Sequence, residues 1–307
     1  MFNIETLSDR AFELGEGPHW NPVDGKLYFV DILTGLVATY DSDGKFSQLY
    51  KNNDEVVSVV LPVNDNGNDK VVISVGTSLR LLDIRTNTEK LIDKISNNGF
   101  RFNDGKCDPS GRIWIGTMEN NFKYLPNAAL YRLNPVTNKL EVQLDQVILS
   151  NGLCWSLDSK KMYYIDSGKR SVFLFDYDID NGKISNKRIF LDMNDNKDFT
   201  SDELPDGMTI DAKGNLWIAM FQGSRIVNID GQNGKLLQSI QMPTSLITSV
   251  CFGGPNLDVM YVTSCRHFLT DEQKIKQPLG GYCFRVTSKD PNFKGHKPNF
   301  SANIKGI

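Results

Sequence analysis

Short runs of β-branched and aromatic residues, bounded by turn-forming pairs, recur along this chain at nearly constant spacing. The phrases are KLYFVD from Lys26, KVVISV from Lys70, RIWIGT from Arg112, KMYYID from Lys161, NLWIAM from Asn215 and DVMYVT from Asp258. Their starts lie 44, 42, 49, 54 and 43 residues apart. Turn signals such as Asp24-Gly25, Ser110-Gly111 and Lys213-Gly214 precede them. Upstream of each phrase the pattern predicts a first strand, in GEGPHW, EVVSVVLP, RFNDGKCDP, LSNGLCW, LPDGMTID and LITSVCFG. Downstream it predicts a hairpin, as in VATYDSDGKFSQLY. Four strands per unit and six units predict an all-β fold, a six-bladed β-propeller with four-stranded antiparallel blades. One domain is expected to span residues 1–307. No stretch carries sustained helical periodicity. Residues before Gly15 are expected to complete the last blade, removing a free sheet edge, while the C-terminal stretch after YCFRVTS loses its periodicity.

In an up-and-down blade the first strand lines the central channel, so polar residues there acquire meaning. Glu16 lies 10 residues before Lys26, Asn103 lies 9 before Arg112, Asn151 lies 10 before Lys161 and Asp206 lies 9 before Asn215. Each alone would read as a strand or turn cap. Together, in apolar surroundings on four blades, they read as one oxygen-rich site for a divalent cation: Ca²⁺, Mg²⁺, Mn²⁺, or Zn²⁺ held by oxygens. Arg101, two residues before Asn103 and on the same side of an extended strand, brings a positive charge to that mouth. The loops TMENNFKYLP, with Glu119, Asn120 and Asn121, and SCRHFLTDEQ, with Arg266 and His267, overhang it. The mouth is therefore expected to be recessed, polar and charged, and His19 to be a satisfied structural histidine.

Composition removes several function classes. Net charge is −3 with Lys and Arg scattered, which argues against a nucleic-acid partner. No apolar run is long enough to span a membrane. The N-terminal residues lack the charged-then-apolar order of a secretory signal, so a cytoplasmic location is expected. Five cysteines without metal-type spacing read as buried, reduced thiols, and a Cys265–Cys283 bridge is disfavoured. No Ser-His-Asp arrangement and no Gly-rich phosphate loop is visible. A small-molecule substrate and a monomer or weak dimer are expected.

The blocks GEGPHW, RFNDGKCDPSGRIWIGTM, LSNGLCWSLDSKKMYYIDS and LPDGMTIDAKGNLWIA closely resemble the senescence-marker-protein/regucalcin/gluconolactonase family, from about Glu13 to Val286. KKMYYIDSGKR, FQGSRI and TSVCFGGPNLDVMYVTS look most like its insect, luciferin-regenerating-enzyme branch. The resemblance implies a six-bladed propeller with one channel cation, Ca²⁺ first among the candidates, and lactone hydrolysis. By motif it implies Glu16, Asn151 and Asp206 as metal ligands and Asn103 and Arg101 as substrate-binding residues. Asp206 becomes the candidate general base, and Glu119 and Asn121 the substrate-facing loop residues. In vertebrate-like members a second acidic residue follows the GTM motif and helps to hold a sugar lactone. A gapless alignment puts Asn121 in its place, so a different or bulkier lactone is expected. A calcium-binding regulatory protein without catalysis, an enzyme of the luciferin-regenerating type acting on a heterocycle, and phosphotriester side activity stay open.

Overall fold

The apolar runs are continuous rather than alternating because both faces of every blade are covered. Six core clusters form, each filling the space between two neighbouring blades. Trp217, Ile226 and Ile240 of one blade, for example, pack against Val250, Met260 and Phe284 of the next. β-Branched and aromatic residues suit such doubly buried strands. The computed structural model describes residues 1–63, 69–96 and 99–301, so residues 302–307 of the expected domain lie outside the described residues.

Six four-stranded antiparallel sheets are arranged in sequence order around a channel. Their inner strands are Gly15–Asn21, Val57–Pro62, Phe100–Cys107, Ser150–Trp155, Leu204–Ile210 and Ile247–Gly253. Each inner strand packs against the next, and the sixth packs against the first, which closes the ring. The second strands include Lys26–Asp31, Lys70–Val75, Ile113–Glu119, Lys161–Asp166, Leu216–Phe221 and Val259–Ser264, and so overlie the recurring phrases. Phe2–Ala11 is the outer strand of the sixth blade, antiparallel to Tyr282–Ser288, so the N-terminal closure expected from sequence is present.

Turn chemistry fixes the inner strands at their ends. In the third blade Asp108 accepts the backbone N–H groups of Ser110 and Arg112 and the indole N–H of Trp114. Asp211 does the same for Lys213, Asn215 and Trp217 in the fifth. Gly111 and Gly214 make these turns at φ +82° and +85°, where a side chain would be strained.

One short element adds to the expected strands, and one expectation needs correction. A one-turn α-helix, Asp271–Lys276, follows the second strand of the last blade. It is too short to show periodicity, and a reciprocal capping box between Thr270 and Gln273 starts it. His19 is buried, but its Nε2 has no hydrogen-bond partner among the described residues, so it is not satisfied. All five cysteines are buried and free.

Candidate metal centre

Every inner strand carries an extra residue near its entry to the channel. Pairing runs from Phe102↔Thr117 to Gly105↔Ile115, from Ser150↔Asp166 to Leu153↔Tyr164, and from Pro205↔Met220 to Met208↔Ile218. Three inner-strand steps thus face two on the neighbour, which is a β-bulge, and a bulge re-aims side chains. Asn103, Asn151 and Asp206 are each the first unpaired residue of such a bulge. Glu16 is offset: it still pairs with Val30, and the bulge begins at Gly17, with φ +56°. The shared register inferred from spacing therefore holds for three residues, with Glu16 one step earlier. The second bulge residues Gly152 and Gly207 sit where inner strands converge. A Cβ on Gly152 would lie 2.7 Å from the Asp206 carbonyl oxygen, and one on Gly207 only 1.9 Å from Ser249 Oγ.

A directed hydrogen-bond chain links three blades around the channel. Arg101 Nη1 donates to Asn103 Oδ1 (2.8 Å), and Asn103 Nδ2 donates to Asn151 Oδ1 (2.9 Å). Asn151 Nδ2 donates to Ser167 Oγ (2.8 Å), whose hydroxyl donates to the carbonyl of Pro205 (2.5 Å), beside Asp206. Arg101 is held further by the Phe102 carbonyl (2.9 Å) and Ser58 Oγ (3.3 Å). Asp31 and Asp166 anchor the strand entries by accepting the backbone N–H groups of Leu14 and Leu149, which sets Glu16 and Asn151 in place.

The electrostatics are unbalanced. Glu16, Arg101, Asn151 and Asp206 are all buried. Burial, and then the charge of Asp104, drives the Glu16 carboxyl well above the usual carboxylate range, against the Gly17 N–H and Arg101. Asp206 is raised by burial and by the negative potential of Glu16 and Asp104, with Arg101 opposing. Burial lowers Arg101 to about 10 although Glu16 and Asp206 favour its charged form. One guanidinium thus faces the carboxyl groups of both Glu16 and Asp206. Glu16 Oε2 accepts only the Gly17 N–H (2.8 Å), and among the described residues no hydrogen-bond donor reaches the Asp206 carboxylate. Under-compensated carboxylates of two buried residues, beside carboxamide oxygens with spare lone pairs, fit a hard divalent cation. Among the described residues no group of three or more His, Cys, Asp or Glu side chains forms a site, and this set instead mixes two carboxylates with carboxamides.

Above Arg101 opens a cleft of about 480 Å³. Asn120 lines it, whereas Asn121 is exposed and does not. Glu119 turns inward, with Oε1 3.8 Å from Lys123 Nζ and Oε2 buried without a partner. His267 pairs with Glu13 at 3.1 Å. The expectation of a polar, charged mouth holds only in part, since Glu55, Thr77, Arg101 and Asn120 share the lining with an apolar set. Leu14, Leu33, Phe100, Phe122 and Phe268 line the cleft, and Tyr124 and Leu125 stand exposed on the same loop as Phe122. Loop residues carry no periodicity, so spacing could not reveal this. Three site residues were also missed. Asp104 follows Asn103 directly in the bulge, Ser58 occupies the equivalent bulge position of the second blade, and Ser167 comes from the turn after the fourth blade's second strand.

The chain matches the model of the SMP-30/Gluconolactonase/LRE-like region over residues 14–266, and it belongs to that family. It is 40% identical over 286 residues to regucalcin of Danio rerio, covering 92% of this chain and 94% of the relative. To regucalcin of Homo sapiens it is 38% identical over 290 residues, covering 92% and 94%. A solved luciferin-regenerating enzyme superposes with TM-score 0.89 at 35% identity, covering 98% of this chain and 100% of that one. No helix of the described residues is long and apolar enough to cross a membrane.

Proposed function

We propose that the protein is a divalent-metal-dependent hydrolase of lactones or similar cyclic esters. The observation that carries this reading is the pair of buried, undercompensated carboxyl groups, Glu16 and Asp206, set beside Asn103, Asn151 and Arg101, the last of which also lines an open cleft. Membership of a family described by gluconolactonase supports the reaction class.

Glu16, Asn151 and Asp206 would hold the cation, Ca²⁺ first among the candidates, which when bound supplies Lewis-acid polarisation of the ring carbonyl. Arg101, braced through Asn103, orients the lactone and donates hydrogen bonds to the oxyanion as charge develops. Asp206 accepts a proton from the attacking water. The water oxygen bonds to the carbonyl carbon, the acyl–oxygen bond of the ring breaks, and the proton passes to the departing ring oxygen. One hydroxycarboxylic acid results.

A second reading, a calcium-binding regulatory protein, draws support from the exposed Phe122, Tyr124, Leu125 and Phe268 at the mouth, since apolar patches also serve docking. Hydrolysis of a lactone panel by chelator-treated protein, with Ca²⁺, Mg²⁺, Mn²⁺ or Zn²⁺ restored and a phosphotriester as comparator, separates the two. Metal-restored turnover of a lactone supports the enzyme; metal binding with no turnover of any ester supports the regulator.

A further inference from the structure

The cleft above Arg101 has a chemistry of its own. Phe122 and Phe268 reach it from the loops between the second and third strands of the third and sixth blades, and their rings meet edge to face at 6.2 Å. Phe268 also packs edge-on against Phe221, at 6.4 Å. This contact seats one side of the roof on the fifth blade. Both roof rings nevertheless remain close to half exposed, at 45% and 46%. Phe122 and Tyr124 hold φ of +49° and +52°, left-handed values that cost non-glycine residues conformational energy. Leu14, Leu33 and Phe100 form the walls beneath, and Arg101 is the cation at the floor.

Resting on the hydrolase reading, we infer that the substrate is a lactone bearing an apolar substituent, an alkyl chain or aromatic ring, rather than a polyhydroxylated one. Its carbonyl end meets Arg101, while the substituent lies against the exposed surface of Phe122 and Phe268. There it covers ring surface that is otherwise left to water, and each buried methylene adds to affinity. Sugar hydroxyls in the same place would lose water and face phenyl rings and leucines that cannot hydrogen-bond. Glu55 and Thr77 of the second blade, and Asn120, two residues before Phe122 on the third-blade loop, add polar groups to the lining.

The test uses metal-loaded, full-length protein and a series of γ-lactones with alkyl substituents of increasing length, beside gluconolactone. The expected result is a rise in kcat/KM of about 3–4-fold per added methylene, flattened in Phe122→Ala and Phe268→Ala and kept in Phe122→Leu. Better turnover of gluconolactone, or an unchanged slope in both alanine variants, would overturn the inference. If no lactone is turned over, the hydrolase reading fails by itself. Calorimetry with the matching alkyl lactams, which resist hydrolysis, then judges the subsite. Affinity that grows with chain length and carries a negative ΔCp, both reduced in the alanine variants, supports it; absence of lactam binding overturns it.

Discussion

The two ends of one channel present opposite chemistry. At one end the carboxylate oxygens of Glu16 and Asp206 outnumber their hydrogen-bond donors. At the other end a cavity of about 70 Å³ lies among His19, Trp20, Lys106 and Trp155, with residues 296–299 of the C-terminal stretch beside it. There the unpaired atoms are ring nitrogens, His19 Nε2, Trp20 Nε1 and Trp155 Nε1. Lys106 Nζ, bonded to the Met208 carbonyl at 2.6 Å, adds positive charge. The same barrel of inner strands thus offers oxygen acceptors to a cation at one end and nitrogen atoms around an ammonium at the other. Asp104 and Lys106, two residues apart on one strand, mark the changeover. The difference teaches that the bulge residues, rather than the overall charge of −3, give each end of the channel its chemistry.

The strongest way to break this comparison is Asp206→Asn. The amide keeps the shape but removes both the negative charge and the proton acceptor, so lactone turnover should fall by about 10³-fold. Retention of wild-type kcat would remove Asp206 from the chemistry. Arg101→Met comes next. It deletes the guanidinium that braces Asn103 and faces the substrate, and kcat/KM should fall about 10²-fold with the protein still folded by circular dichroism. An unchanged kcat/KM would make Arg101 a purely structural residue.

The smallest effect sharpens the other end. Burial, with Lys106 nearby, depresses His19 to about 3. Between the unfolded value of about 6.5 and the folded one, the unfolded chain binds a proton that the native state does not. Stability is therefore lost as pH falls from about 6.5 toward 3, and His19 contributes nothing to the pH dependence above that window. At pH 5 the loss from this one group is about 2 kcal/mol. Urea unfolding at pH 7.5 and pH 5 should show a difference smaller by about that amount in His19→Gln. An identical pH dependence in the variant would mean that His19 takes up its proton in the folded state.

Much of this architecture was legible before any coordinates, for a physical reason. Blades buried on both faces demand continuous apolar runs, and closely similar blades repeat them, so Lys26–Asp31 and Lys161–Asp166 announce themselves. The positions of Glu16, Asn103, Asn151 and Asp206 on the inner strands follow from counting along that repeat. Counting cannot see a bulge, however, which is why the one-residue offset of Glu16 needed the ladder register. Asp104 and Ser167 escaped for a related reason. Neither occupies the repeated position, and each reaches the site only through a neighbour in three dimensions. The apolar roof was missed because Phe122 and Phe268 lie in loops, where no period separates buried from exposed. The Thr270–Gln273 capping box was a readable signal for the short helix that follows Phe268.

The measurement that tests the central claim most directly is calorimetric and thermal titration of metal-stripped protein with Ca²⁺, beside Glu16→Gln and Asp206→Asn. The account predicts one bound ion per chain and a rise in Tm. At a hundredfold excess over Kd the rise corresponds to about 2.7 kcal/mol of added stability, and both effects should be much weaker in each variant. Binding that survives unchanged in both variants, or no binding of Ca²⁺, Mg²⁺, Mn²⁺ or Zn²⁺ at all, would contradict it.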